Sequence, residues 1–249
     1  MKPLIEYRLV IFDLDGTVYN GDEAIPGAVE VIQQLQHNNV RVVFLTNNSA
    51  KSSKRIYDKI KSLGIQCLEE DVWTSGKAAG EYLLQIKAKK VFVTGTDELR
   101  RDIEKLGIQV VKPDEASCLI IGFNPKATYK DCSDAVTAAL HATLILACNK
   151  EKVYPEKNGK LVPGCGAMVA AVEWCSNKKV DKIIGKPNVD LLKTIMKHYA
   201  VTEKETLMVG DSIESDIEMA HNCKIDSILV GEDQQLGAIK IKNLYQSVL

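Results

Sequence analysis

The sequence is short of histidine and tryptophan, with four and two in 249 residues, and it has no excess of either charge. Thirty-two Lys and Arg face 33 Asp and Glu, a formal charge of −1. That balance excludes a global field drawing the chain to nucleic acid or anionic lipid, while a local anion site stays compatible with it. No apolar stretch approaches the roughly 18 residues of a membrane span. The opening MKPLIEYRLVIFDLDGT lacks signal-peptide form, because its apolar stretch is short and runs into carboxylates. His37, His141, His198 and His221 adjoin no motif and are not paired at metal-ligand spacing, so they read as structural or surface residues. The absence of G-x-G-x-x-G and of a P-loop argues against dinucleotide or NTP-driven chemistry. Seven cysteines are scattered with no C-x-x-C, which excludes a disulfide frame or zinc site. Packed, reduced thiols point to a cytoplasmic protein, and the charge balance and short apolar runs to one with neither nucleic-acid nor membrane partners. Trp73 and Trp174 are expected in the core or packed near the hinges between the two domains.

What is present suits a globular enzyme: 45% hydrophobic residues can bury a real core. Short Val/Ile/Leu runs predict strands at 9–12, 41–45, 90–93, 118–121, 144–147, 182–184, 207–209 and 227–230. Most are continuous and not alternating, as in parallel sheets buried on both faces. Helical stripes lie between them: Ile56, Ile60 and Leu63; Leu191, Leu192, Ile195, Met196 and Tyr199; Ile213, Ile217 and Ala220. Gly64 and Gly107 sit where helices should stop. The alternation predicts an α/β fold, whose ligands lie at the carboxyl ends of its strands.

Four strand ends carry chemistry. After the first comes Asp13-Leu14-Asp15-Gly16-Thr17. In extended backbone Asp13 and Asp15 would project together, and Gly16 allows a sharp turn. Adjacent carboxylates repel unless a cation joins them, and Mg²⁺ suits oxygen ligands; a solvated Asp-Gly turn is the alternative. After the second comes Thr46-Asn47-Asn48-Ser49, expected at the start of a helix, where phosphate binds. Plain capping by Asn48 or Ser49 is the alternative. Gly185-Lys186-Pro187 presents a lysine at a strand end, and Gly210-Asp211-Ser212-Ile213-Glu214-Ser215-Asp216 adds two carboxylates. A surface lysine and helix-capping acids are the corresponding alternatives.

In this order the four motifs resemble the haloacid dehalogenase superfamily. The stretches 45–50, 162–167 and 184–187 are similar to its NagD-like, or p-nitrophenyl phosphatase, branch, and the likeness runs along nearly the whole chain. Departures from that branch are Cys165 for Ala or Thr, Asn124 for Asp, Cys148-Asn149-Lys150 for T-N-P, and Ser215 for Thr. The second and third bear on which substrate fits.

The distance from Thr46 to Lys186 far exceeds the roughly 30 residues of one crossover. The surplus is expected to fold separately. The expected architecture is a Rossmann-like parallel-sheet core, 1–76 with 182–249, interrupted by an inserted α/β domain, 77–181. The resemblance implies that this insert is a cap over the active site and that dimers form through it. It also implies a Mg²⁺-dependent phosphatase of small-molecule phosphomonoesters. Asp13 would be the nucleophile and Asp15 the general acid and base. The Asp13 side chain, the Asp15 backbone carbonyl and Asp211 would hold the metal, with Asp216 supporting them. Thr46, the Asn47 N–H and Lys186 would hold phosphate oxygens. Tyr154, in the loop after the 144–147 strand, is the candidate for contacting the leaving group; packing inside the insert is the alternative. Two other readings stay open. One is phosphotransfer or phosphonate cleavage on the same scaffold. The other is a phospho-accepting or non-catalytic binding protein.

Overall fold

The computed structural model describes residues 2–155, 160–231, 238–241 and 243–244. The chain forms two compact units. The first comprises residues 1–46, 53–73 and 186–249; the second comprises 47–52 and 74–185.

The first unit is built on a five-stranded sheet in the order Asp226–Leu229, Thr206–Gly210, Leu9–Phe12, Arg41–Thr46, Val72–Thr74. Leu9–Phe12 pairs in parallel with Thr206–Gly210 on one side and Arg41–Thr46 on the other. Alternate residues Val10, Phe12, Val42, Phe44, Leu207 and Val209 share a core with Ile32 and Leu35 of helix Ala28–His37 and with Ile56 and Ile60 of helix Ser53–Ser62. The intervening Leu9, Ile11, Val43, Leu45 and Met208 are also buried. Burial on both faces is why these strands read as unbroken apolar runs. Each such side chain contributes about 1.5–3 kcal/mol on leaving water.

From the central Leu9–Phe12 strand the chain builds outward to one side, then returns to build outward on the other. The order therefore reverses between Leu9–Phe12 and Thr206–Gly210, the point at which open α/β sheets bind their ligands.

The second unit has its own parallel sheet: Lys182–Ile183, Leu144–Ala147, Cys118–Ile121, Lys90–Thr94, Gln109–Val110. Ala135, Ala138 and Ala139 of helix Tyr129–His141 pack with Val169 and Val172 of helix Cys165–Ser176 on Leu119, Ile121, Ile145 and Ala147. Here the order reverses between Lys90–Thr94 and Cys118–Ile121, and residues 47–52 of the same unit lie at that place. Ser49 Oγ accepts from the Phe123 N–H at 2.8 Å, Thr96 Oγ1 donates to the Ala50 carbonyl at 2.9 Å, and the Ser52 N–H donates to Glu98 at 2.9 Å. Gly122 makes room, since a Cβ there would meet the Leu99 side chain and stand 3.4 Å from Ser49 Oγ.

Three expectations are corrected. The strand at 182 belongs to the second sheet, not to the core. Its pairing with Leu144–Ala147 continues past the strand, through Ile184 N–H to Ala147 and Gly185 N–H to Cys148, both at 2.8 Å. The helix after the second strand begins only at Ser53, so Thr46 closes the strand and residues 47–52 are loop. Asn48 Oδ1 instead closes a turn, accepting from the N–H groups of Ala50 and Lys51 at 2.9 and 3.1 Å. Trp174 is 89% exposed, because its helix buries the stripe Cys165, Val169, Val172 and Ser176, from which position 174 points away. Trp73 is buried as expected. Among the described residues, no helix is long and apolar enough to cross a membrane.

Candidate active site

Asp13 directly follows the Leu9–Phe12 strand, and its N–H donates to the Val209 carbonyl at 2.9 Å. This bond holds it at the reversal of strand order, beside the end of Thr206–Gly210. The next residues fold back on one acceptor: the N–H groups of Thr17, Val18 and Tyr19 all donate to the Leu14 carbonyl, at 3.2, 2.9 and 3.1 Å. Gly16 makes this possible with φ of +93°, and a Cβ there would collide with the Asp211 carboxylate. Asp211 is thereby brought against the loop, where Thr17 Oγ1 lies 3.5 Å from its Oδ1.

After Asp211 the chain makes a π-helical turn, Ile213–Ile217, with Ser212 at its head accepting from the Ser215 N–H at 3.3 Å. Such turns recur at functional sites because they shift the register of a side chain by one position. Here the shift brings Asp216 back beneath Gly210, where a Cβ would strike its carboxylate. Asp216 is fully buried and accepts from the Ser212 N–H at 3.1 Å.

Lys186 ties these pieces together. It is 4% exposed, its ammonium is hydrogen-bonded to Asp13 Oδ1, and it lies 2.7 Å from Asp216 Oδ1. Burial alone would lower its pKa; Asp13 and Asp216 reverse the effect and raise it, so the ammonium keeps its proton. Burial pushes the Asp13 carboxyl well above the usual range; Lys186 pulls against this, while Asp216 and Asp211 push further up. Asp211 is raised by burial and by Asp216, against Lys186.

Carboxylate oxygens of Asp13, Asp211 and Asp216 lie within 4.8 Å of one another. Ionised together against one ammonium, they leave two negative charges unbalanced, which is the charge of a divalent cation. The donors are all hard oxygens, with no thiolate or imidazole, so the set fits Mg²⁺.

The other expected residues are placed as follows. Asp15 is exposed where Asp13 is buried, and lies outside the 4.8 Å group. The strand ends at Phe12, so the alternation that would align the two does not reach them. Thr46 is the buried last residue of its strand. Asn47 is buried within the second unit, where Asn149, Ser75 and Glu151 bond to it. Those three carry no motif signal, although Asn149 stands inside a stretch that departs from the resembled branch. Tyr154 is half-buried on strand Val153–Pro155, its ring 5.1 Å from that of Phe123.

At the opposite, amino ends of the first unit's strands lies a cavity of about 560 Å³ lined by Arg8, Arg41, Glu70 and His198. Its arginines are already neutralised. Arg8 pairs with Glu205 at 3.1 Å, and Arg41 with Asp71 at 2.5 Å and Glu70 at 3.4 Å.

Comparison with known proteins agrees with this geometry. The family model for haloacid dehalogenase-like hydrolases matches residues 10–109, and a HAD-hydrolase-like model matches 183–239. Sugar-phosphatase AraL of Bacillus subtilis is 31% identical over 230 residues, 91% of this chain and 84% of that protein. The crystal structure of a 4-nitrophenylphosphatase from Thermotoga maritima superposes with a TM-score of 0.91 at 29% identity, covering 99% of both chains. A glycerol phosphate phosphatase from Mycobacterium tuberculosis, solved in complex with magnesium, gives 0.87 at 27% identity, covering 99% of this chain and 79% of that one.

Proposed function

This chain belongs to the haloacid dehalogenase-like hydrolases, in their NagD-like phosphatase branch, and on that premise we propose that it cleaves small phosphomonoesters through an aspartyl-phosphate on Asp13, with Mg²⁺ as its metal. Phosphatase action on small phosphate substrates comes with the family. The observation that supports the finer reading is the trio of carboxylates around one buried lysine at the reversal of strand order.

In this reading the Asp13 carboxylate attacks phosphorus in line while the bond to the leaving oxygen breaks. Asp15 gives that oxygen a proton. A water then attacks the acyl phosphate, Asp15 takes its proton, and orthophosphate leaves with Asp13 restored. Lys186 holds Asp13 in place and faces the phosphoryl charge. Thr46 and the Asn47 N–H bind the other equatorial oxygens. The side chains of Asp13 and Asp211 and the Asp15 carbonyl would hold the metal. Asp216 supports them through Lys186 and the Ser212 N–H. Mg²⁺, when bound, offsets the carboxylate charge and orients the phosphate.

A phosphate-release screen over a metabolite panel, with and without Mg²⁺, tests this. EDTA should silence activity and Mg²⁺ restore it. Asp13→Asn should lower kcat by at least ~10³-fold, the scale for losing a covalent nucleophile. Retention of a tenth of wild-type kcat would exclude Asp13 as nucleophile. Choice among leaving groups is assigned to the inserted unit, with Tyr154 as the contact, since core residues handle only the shared phosphate. Tyr154→Ala should reorder substrates by kcat/KM; an equal loss for every substrate would show that Tyr154 does not discriminate.

A further inference from the structure

Asn47 is held far more tightly than a loop residue needs. Its carbonyl accepts from two side chains, Ser75 Oγ at 2.7 Å and Asn149 Nδ2 at 2.8 Å. Its side-chain amide donates to Glu151 Oε1 at 2.9 Å. Asn149 is itself fixed, its Oδ1 accepting from the Glu151 N–H at 3.1 Å. The side-chain oxygen of Asn47 lies against Gly185, where a Cβ would collide with it. Asn47, Ser75 and Asn149 are all buried.

Polar groups buried in this way add little net stability, since each bond replaces one to water. What they add is direction. Ser75 opens helix Ser75–Gln85, and Asn149 stands two residues beyond strand Leu144–Ala147, so both donors rise from rigid elements. Two donors on one carbonyl use both of its lone pairs and fix the plane of the peptide after Asn47. The bond to Glu151 fixes the side chain. With both held, the Asn47 Cα and backbone nitrogen are fixed in place, and the preceding peptide runs from them to Thr46, the last residue of a buried strand, so it is anchored at both ends.

That preceding peptide carries the N–H assigned above to a phosphate oxygen, so this inference rests on the proposed function. We propose that Asn149 and Ser75 are positioning residues for phosphate binding: by clamping the Asn47 carbonyl they aim the Asn47 N–H at the phosphoryl group. Neither touches the reacting atoms. Because the clamp acts on a group that grips phosphate before and during reaction, its loss should weaken binding more than turnover.

The test uses the full chain with saturating Mg²⁺. Asn149→Asp keeps the shape and the acceptor but removes the donor; Ser75→Ala removes the other donor alone. For each variant, KM and kcat for p-nitrophenyl phosphate are measured, with the inhibition constant of inorganic phosphate and the shift in melting temperature that phosphate produces. KM and the inhibition constant should rise together, about tenfold for Asn149→Asp and about threefold for Ser75→Ala, with kcat changed less. A purely structural role would lower the active fraction or the melting temperature and leave both constants alone. Folded variants with wild-type constants overturn the proposal. If Asn149→Asp does not fold, Ser75→Ala decides by the same two constants. A wild type that binds phosphate but turns over no ester refutes the hydrolytic reading, while phosphate protection of the variants still judges the clamp. A wild type that does neither overturns both.

Discussion

Lys186 shows how one residue sets the state of its neighbours. Its ammonium pairs with both Asp13 and Asp216, and all three are buried. Removing one partner of a buried ion pair strands the other, at about 3–5 kcal/mol. Lys186→Met should therefore lower stability to urea by that order without Mg²⁺, and Mg²⁺ should recover part of it. The loss has a definite sign with pH. Asp13 already has its pKa raised in the folded state, and without the lysine it rises further. The folded variant then holds protons that the unfolded chain releases, so its stability falls as pH increases. Urea midpoints at pH 5 and pH 8 check this; a variant as stable as wild type at both would contradict the ion-pair account. The acidic motif and the lysine were legible in the sequence because each follows a strand end. The clamp on Asn47 was not. Its donors lie 28 and 102 residues away, and a lone Ser or Asn carries no signal of the carbonyl it will meet.

Among the elements, the short 3₁₀ turn Glu203–Glu205 shows how a strand is started at a fixed place. Thr202 donates to Glu205 Oε2 through both its N–H and its hydroxyl, at 2.9 and 2.8 Å, and Arg8 reaches Oε1 at 3.1 Å. The turn delivers the chain into Thr206–Gly210, the strand that Asp211 directly follows. The Thr202 N–H, the Thr202 hydroxyl and Arg8 together hold the Glu205 pKa down to about 2, against 4.5 for a free side chain. A lowered folded-state pKa stabilises above the unfolded value and loses its effect as pH falls through the folded one. The melting-temperature gap between wild type and Glu205→Gln should thus be full above about pH 5 and close between 4.5 and about 2. A gap independent of pH would show that Glu205 acts without its charge. Strands buried on both faces are readable as continuous apolar runs, whose bounds agree with the observed strands to within a residue. Val72–Thr74 and Gln109–Val110 are too short to stand out. The strand at 182 is legible as a strand but not as a member of the second sheet, since an apolar run records burial and not the identity of its neighbour. The loop after Thr46 reads in sequence as a helix start because Asn and Ser serve turns and caps equally.

For the whole molecule, the sequence shows one long interruption between the second and third of its four strand-end motifs, and the contacts refine its limits. The chain passes between the units four times, after residues 46, 52, 73 and 185. The extra pair of crossings arises from residues 47–52, which fill the point of reversed strand order in the second sheet. A polypeptide of residues 74–185 alone should be less stable than the same polypeptide with 47–52 joined through a Gly/Ser linker, because Ser49 and Ala50 supply hydrogen bonds that it lacks. Comparison of their melting temperatures decides this; equal values would mean that the segment adds nothing to its host. Modular exchange is limited in the same way. A gene fragment spanning only the long insert, moved into a relative to graft a new specificity, arrives with an unplugged crevice and must accept whatever plug the recipient encodes after its own second core strand. Swaps that transplant both pieces should work where single-piece swaps misfold, and in the lineage the two pieces are expected to change hands as a matched set.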